Sequence, residues 1–176
     1  MAVLGVCTEK EHRINLRTNR DLRTQTHGRI HEKEFIMILS FDKENCDKRN
    51  FPAKILAGSK THTCRIDKHR RWKVGMKIQY YRLNPRNGGI EFATGIVSKV
   101  ENIKISVWHN WVSIGDKNDD PTNYTYLSLE DELNEFAKND GFNSWEELKE
   151  YFKEFFEGVR ISWDLISVKP TAIQKH

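Results

Sequence analysis

The stretch Pro52-Ala-Lys-Ile-Leu-Ala-Gly58-Ser-Lys60-Thr-His-Thr63-Cys-Arg65 decides how this chain is read. Proline suits the first turn of a helix, where its missing N–H is no loss, and glycine suits the position just past a helix end. The segment therefore predicts a short helix that stops at Gly58 and turns at once into a strand over Thr61–Asp67. Along that strand Thr61, Thr63 and Arg65 share one face, and His62, Cys64 and Ile66 the other. Lys60 sits in the turn, three positions before Thr63, so a tight bend would bring its amine toward the Thr63 hydroxyl. From spacing alone, a surface lysine beside ordinary strand threonines is the simpler account.

Outward from this centre, Glu34-Phe-Ile-Met-Ile-Leu-Ser-Phe41 reads as a buried strand, and the alternation of Met76–Arg82 as another strand. Asn84-Pro-Arg-Asn-Gly-Gly89 reads as a loop. Ile90–Trp108 is long for one strand, and Gly95 and Glu101-Asn102 are expected to break it into two or more. Asp116–Asn123 is a polar loop that would serve as a lid or an exposed excursion. Two helices are expected next. Ser128 would cap the first, with Asp131 three positions on, and Ser144 with Glu147 forms a capping box for the second. Leu129, Leu133, Phe136 and Ala137 make one apolar stripe, and Trp145, Leu148, Phe152 and Phe155 another. Asn139-Asp140-Gly141 separates the two helices. Val159–Val168 is the last strand, with Val159, Ile161, Trp163 and Leu165 on one face. Many short strands and few helices predict an α+β fold, a small mixed β-barrel with short helices at its rim. Residues 1–32 lack an apolar stripe and read as a flexible basic arm, residues 33–170 as the domain, and 171–176 as a tail.

The chain has 176 residues, 38% hydrophobic and 31% charged, which is one domain's worth with material for a core. No apolar run approaches a membrane span, and the first residues do not form a secretory leader. Cys7, Cys46 and Cys64 are odd in number and far apart, so neither a disulfide framework nor a zinc ribbon is indicated. A cytoplasmic protein without a membrane partner is expected. Six bases and one acid lie within Ser59–Lys73, while ten acids and three lysines lie within Ser128–Glu157. The first stretch is a candidate footprint for phosphate. Motifs for nucleotide, zinc-protease or serine-hydrolase chemistry are absent. His62, Cys64 and His69 are the nearest thing to a metal set, and they lack a fourth partner, so no metal or cofactor is expected.

The runs Ile55–Arg65, Arg71-Trp-Lys-Val-Gly-Met-Lys77 and Phe136–Leu148 together resemble the ASCH family (activating signal cointegrator homology), with its G-x-K-x-x-T-x-R pattern. The resemblance covers about residues 34–168. It implies a PUA-like β-barrel with a cleft and an RNA or modified-nucleoside partner. Some compact family members remove the acetyl group of N4-acetylcytidine with a lysine, a threonine and a glutamate. Carried over, these positions are Lys60, Thr63 and Asp140, a carboxylate one methylene shorter, and Arg65 matches the motif arginine. The family's acidic residue after the turn glycine is replaced by Met76. A neutral lysine can take the proton of a threonine nucleophile. Arg65, Lys68, Arg70 and Arg71 would bind phosphate or a base edge, and Trp72, Tyr80, Tyr81, Trp108 and Trp111 supply candidate stacking faces. Recognition of RNA or a nucleoside ranks first and acyl-nucleoside hydrolysis second. A ribonuclease and a protein-interaction module, docking through the acidic helices, complete the alternatives.

Overall fold

The structure is a computed structural model that describes residues 36–116 and 123–169. The expected arm over 1–32, the tail over 171–176 and most of the Asp116–Asn123 loop lie outside the described residues. Seven strands form one mixed sheet: β1 (Ile36–Phe41), β2 (His62–Arg65), β3 (Lys77–Arg82), β4 (Ile90–Ser106), β5 (Trp111–Asp116), β6 (Thr125–Leu127) and β7 (Phe156–Val168). Among the described residues four short α-helices accompany it: α1 (Lys43–Asp47), α2 (Phe51–Leu56), α3 (Glu130–Asn139) and α4 (Trp145–Phe152). None is long and apolar enough to cross a membrane.

β4 and β7 are the axis of the sheet. They run antiparallel over nearly their whole lengths, from Ala93↔Val168 to Ile105↔Phe156. The other edge of β4 is shared, its first half pairing with β3 and its second with β5. β2 lies on the far edge of β7, β6 on β5, and β1 runs parallel to β3. Among the described residues the ladder does not close on itself.

The expected break within Ile90–Trp108 does not occur. Register shifts at Thr94/Gly95 and Val97/Lys99 let the strand bend without leaving the ladder, as bulges do. Glu101 and Asn102 stay paired because the Glu101 carboxylate is matched across the sheet by Arg160. Bending wraps the sheet round a core that includes Leu39, Ile78, Phe92, Val97, Ile103, Val112, Ile161 and Trp163.

α3 and α4 close this core with Leu133, Phe136, Ala137, Trp145 and Leu148. Leu129 and Phe155, assigned from the sequence to the two apolar stripes, are exposed instead. Leu129 is exposed because α3 begins one residue later than its Ser128 signal suggested. The N-cap is Leu129, and the Glu132 carboxylate accepts the backbone N–H groups of both Ser128 and Leu129. α4 starts at the expected place. The Ser144 hydroxyl accepts from Glu147 N–H, while the Glu147 carboxylate reaches back to Asn143 N–H.

Candidate functional site

The turn that the sequence centres on is built as expected and then buried. α2 ends at Leu56, and Gly58 takes a left-handed φ of 74° that few residues other than glycine adopt cheaply. Ser59 and Lys60 N–H both return to the Lys54 carbonyl, which folds the chain back into β2. Lys60 is thereby driven inward, with only 1% of its surface exposed.

The Lys60 ammonium has three protons and finds three acceptors. They are the carbonyl oxygen of His62 at 2.8 Å, the carbonyl oxygen of Asp140, and Asp140 Oδ1 at 2.5 Å. Its charge also lies 4.4 Å from the centre of the Phe51 ring. Asp140 comes from the turn between α3 and α4, where Gly141 has φ 94°. A Cβ on Gly141 would stand 2.8 Å from Lys60 Cδ and 2.9 Å from Phe51 Cε1, so the close approach itself requires glycine. Two further bonds tie the same elements together: Thr61 N–H to the Asn139 carbonyl at 2.9 Å, and Lys54 Nζ to the Gly141 carbonyl at 2.6 Å.

Lys60 and Asp140 are therefore brought together, as the motif resemblance implies, and none of the three ammonium hydrogen bonds goes to the Thr63 hydroxyl. Every ammonium proton is directed elsewhere. Burial lowers the Lys60 pKa from its ordinary value, and the Asp140 charge opposes that shift. Thr63 is buried on the wall of a chamber of about 460 Å³, with Cys64, Arg65 and Asp140. The rest of that wall is largely aromatic: Phe41, Phe51, Phe142, Tyr151, Phe152 and Phe156.

Arg65 stands where this chamber meets a second one of about 450 Å³, since Phe41, Asn45, Arg65 and Tyr151 line both. One guanidinium N–H, from Nη2, is held by the Ser40 carbonyl at 2.8 Å, and the group packs 5.7 Å from the Phe41 ring centre. Its other four N–H donors have no acceptor among the described residues.

The basic segment leaves the rim of the chamber at Ile66. The Asp67 carboxylate accepts Arg71 and Trp72 N–H and so shapes the turn, leaving Lys68, Arg70 and Arg71 exposed. Trp72 does not join them. It is 5% exposed and belongs to the core, as does Tyr80, so neither offers a face for stacking. Trp108 is 75% exposed at the β4–β5 turn. The aromatic lining comes instead from Phe152, whose helical spacing reads as core, and from Phe142 and Tyr151, which the sequence did not single out.

His69 is exposed and does not join His62 and Cys64. Asp140 takes its place, with one ligand atom from each of the three lying within 4.8 Å of the others. The carboxylate already has a cation, because Asp140 Oδ1 holds the Lys60 ammonium. Burial raises the Cys64 thiol well above its ordinary range, reinforced by the Asp140 charge. A further cleft of about 860 Å³ opens between α3 and strands β2, β4, β5, β6 and β7, with His62, Glu101, Asn139 and Arg160 on its walls. No protein-family model, curated protein or solved structure matches this chain.

Proposed function

We propose that this protein binds a nucleoside in the paired chambers around Arg65, the base stacking among the aromatic side chains and its polar edge meeting the guanidinium. The observation that carries this reading is Arg65 itself, half-buried between two cavities with four N–H donors that meet no acceptor among the described residues. A planar guanidinium so placed suits a pyrimidine carbonyl or a phosphate, and aromatic walls suit a base. Each chamber falls within the usual range for small-molecule sites. The walls carry few charges, Lys43 and Arg65 beside Asp42 and an Asp140 already paired with Lys60, which suits a nucleoside better than a polyanion. The bent β4–β7 ladder and the G-x-K-x-x-T-x-R residues support placing the fold with the PUA-like ASCH domains. The free thiols of Cys46 and Cys64 support a cytoplasmic setting.

The test is titration with the four ribonucleosides and a short single-stranded RNA. Nucleoside affinity should change little between about 50 and 500 mM salt, because no phosphate counterions are released. Arg65→Ala should weaken binding about tenfold or more, the loss of hydrogen bonds from a charged donor. Binding of RNA alone, with a steep salt dependence, would move the site to Lys68, Arg70 and Arg71 and overturn the reading.

A second reading, hydrolysis of an acylated nucleoside such as N4-acetylcytidine, is favoured by the lowered Lys60 pKa and by Thr63 on the chamber wall. It needs the Lys60 amine to leave Asp140. Under this reading Thr63→Val abolishes turnover while affinity changes by about tenfold or less.

A further inference from the structure

Strand alternation places His62 and Cys64 on one face of β2. The bond from Thr61 N–H to the Asn139 carbonyl pins the α3–α4 turn against the start of that strand, and so delivers Asp140 to the same place. One ligand atom from each of the three side chains lies within 4.8 Å of the other two. Around a tetrahedral ion with ordinary bonds to sulfur, nitrogen and oxygen, such atoms stand roughly 3.3–3.6 Å apart. The set therefore has to contract by no more than about 1.5 Å to close on a single ion. Asp140 already holds Lys60 with Oδ1, but a carboxylate has a second oxygen and accepts more than one partner.

A second observation points to the same place. His62 is 4% exposed, and its Nε2 is buried without a hydrogen-bond partner among the described residues. A buried polar atom left unpaired is costly, and coordination removes that cost. Packing 5.0 Å from the Phe136 ring holds the imidazole in place. Burial also lowers its pKa to about 4, so at neutral pH the ring is in the uncharged form that coordinates.

We propose that His62, Cys64 and Asp140 form a site for a divalent transition-metal ion of the zinc class, reached through the aromatic chamber that Cys64 and Asp140 line. A sulfur and a nitrogen ligand select zinc, cobalt or copper over magnesium and calcium, which take oxygen. Binding forms a metal–sulfur bond and breaks the Cys64 S–H bond. The proton leaves to solvent, and nothing is oxidised or reduced. The thiolate and the carboxylate together match the two charges of the ion. Three protein ligands leave a fourth position for water or a further ligand. The site is separate from the nucleoside reading, which rests on Arg65 and needs no metal.

The probe is Co²⁺, titrated into the full chain under reducing, chelator-free conditions and read by absorption. Cobalt bound to a thiolate should give a near-ultraviolet charge-transfer band that saturates at one ion per chain. Zn²⁺ should displace the cobalt and abolish the band, because soft thiolate ligands select zinc. Cys64→Ser should remove the band. His62→Gln should weaken binding by about a hundredfold or more, beyond the roughly 10–100-fold that loss of an outer partner costs. Cys46→Ser, which alters a buried thiol outside the cluster, should leave the band intact. Should His62→Gln fail to fold, Cys64→Ser, a one-atom change, decides alone. No charge-transfer band with cobalt up to about 1 mM, the weak end of binding constants, would overturn the proposal. So would a band that survives Cys64→Ser or is lost in Cys46→Ser.

Discussion

Replacing Lys60 by Met keeps the length and most of the volume of the side chain and removes the charge. In the folded protein this leaves the Asp140 carboxylate, almost fully buried, with its cation gone, and deprives the carbonyls of His62 and Asp140 of their shared donor. Breaking a buried pair from one side costs about 3–5 kcal/mol, because the remaining charge is uncompensated. Relief by protonating Asp140 limits the loss without abolishing it. With a urea m-value of about 2 kcal/mol/M, the unfolding midpoint should fall by roughly 1.5–2.5 M. The double variant Lys60→Met/Asp140→Asn removes both charges, so it should be more stable than the sum of the single losses predicts. A coupling of about 2 kcal/mol is expected, within the usual range for contacting residues. Urea unfolding of the four proteins closes the cycle. A Lys60→Met loss below about 1 kcal/mol, or additive single losses, would refute the claim that this pair anchors the α3–α4 turn to the start of β2.

Other expectations follow from the same geometry. His62 has a folded pKa of about 4, below its ordinary 6.5, so the unfolded chain takes up the proton first as pH falls. Its contribution to stability is complete above about pH 6.5 and declines to a loss of about 3 kcal/mol near pH 4. His62→Gln should flatten that part of the stability–pH profile relative to the parent, and parallel profiles would refute it. Gly141→Ala should cost about 2 kcal/mol or more, from its left-handed φ and the contacts its methyl makes with Lys60 and Phe51, as read by thermal unfolding. Trp72→Ala should destabilise the domain by about 3–5 kcal/mol, as truncation of a buried aromatic does. Any loss of affinity in that variant should disappear when binding is corrected for the folded fraction.

The sequence announced most of the elements because local signals and burial agree in them. Pro52 and Gly58 bracket α2, and Ser144 starts α4 where its hydroxyl caps the helix. The misreadings have physical causes. Polar Glu101-Asn102 looks like an interruption until Arg160, far away in sequence, is seen to neutralise Glu101 across the ladder. Trp72 looks like a stacking face because it is an aromatic among bases, but the Asp67 turn folds it inward while its neighbours stay outside. α1 was not anticipated, since its start depends on the Asp42 side chain accepting Asn45 N–H and its five residues show no period. The Lys60–Asp140 contact spans a sequence separation of 80 and has no local trace. The motif resemblance proposed it, and spacing alone did not.

The same contact changes what the G-x-K-x-x-T-x-R residues are for. A lysine kept as a general base needs a free lone pair facing its nucleophile. Here all three protons are donated to fixed acceptors, two of them carbonyls that cannot leave without dismantling a turn. The lysine is placed to lock a corner, and the corner has two outward consequences. Asp140 forms part of the wall of the aromatic chamber, while its neighbour Asn139 forms part of the wall of the cleft beside α3. One hydrogen-bonded node thus fixes a wall for each cavity. Arg65, two residues beyond Thr63, has one N–H held by the Ser40 carbonyl and four with no acceptor among the described residues. Under the proposed nucleoside reading, recognition falls to the arginine, while the lysine and aspartate hold the frame from which it acts.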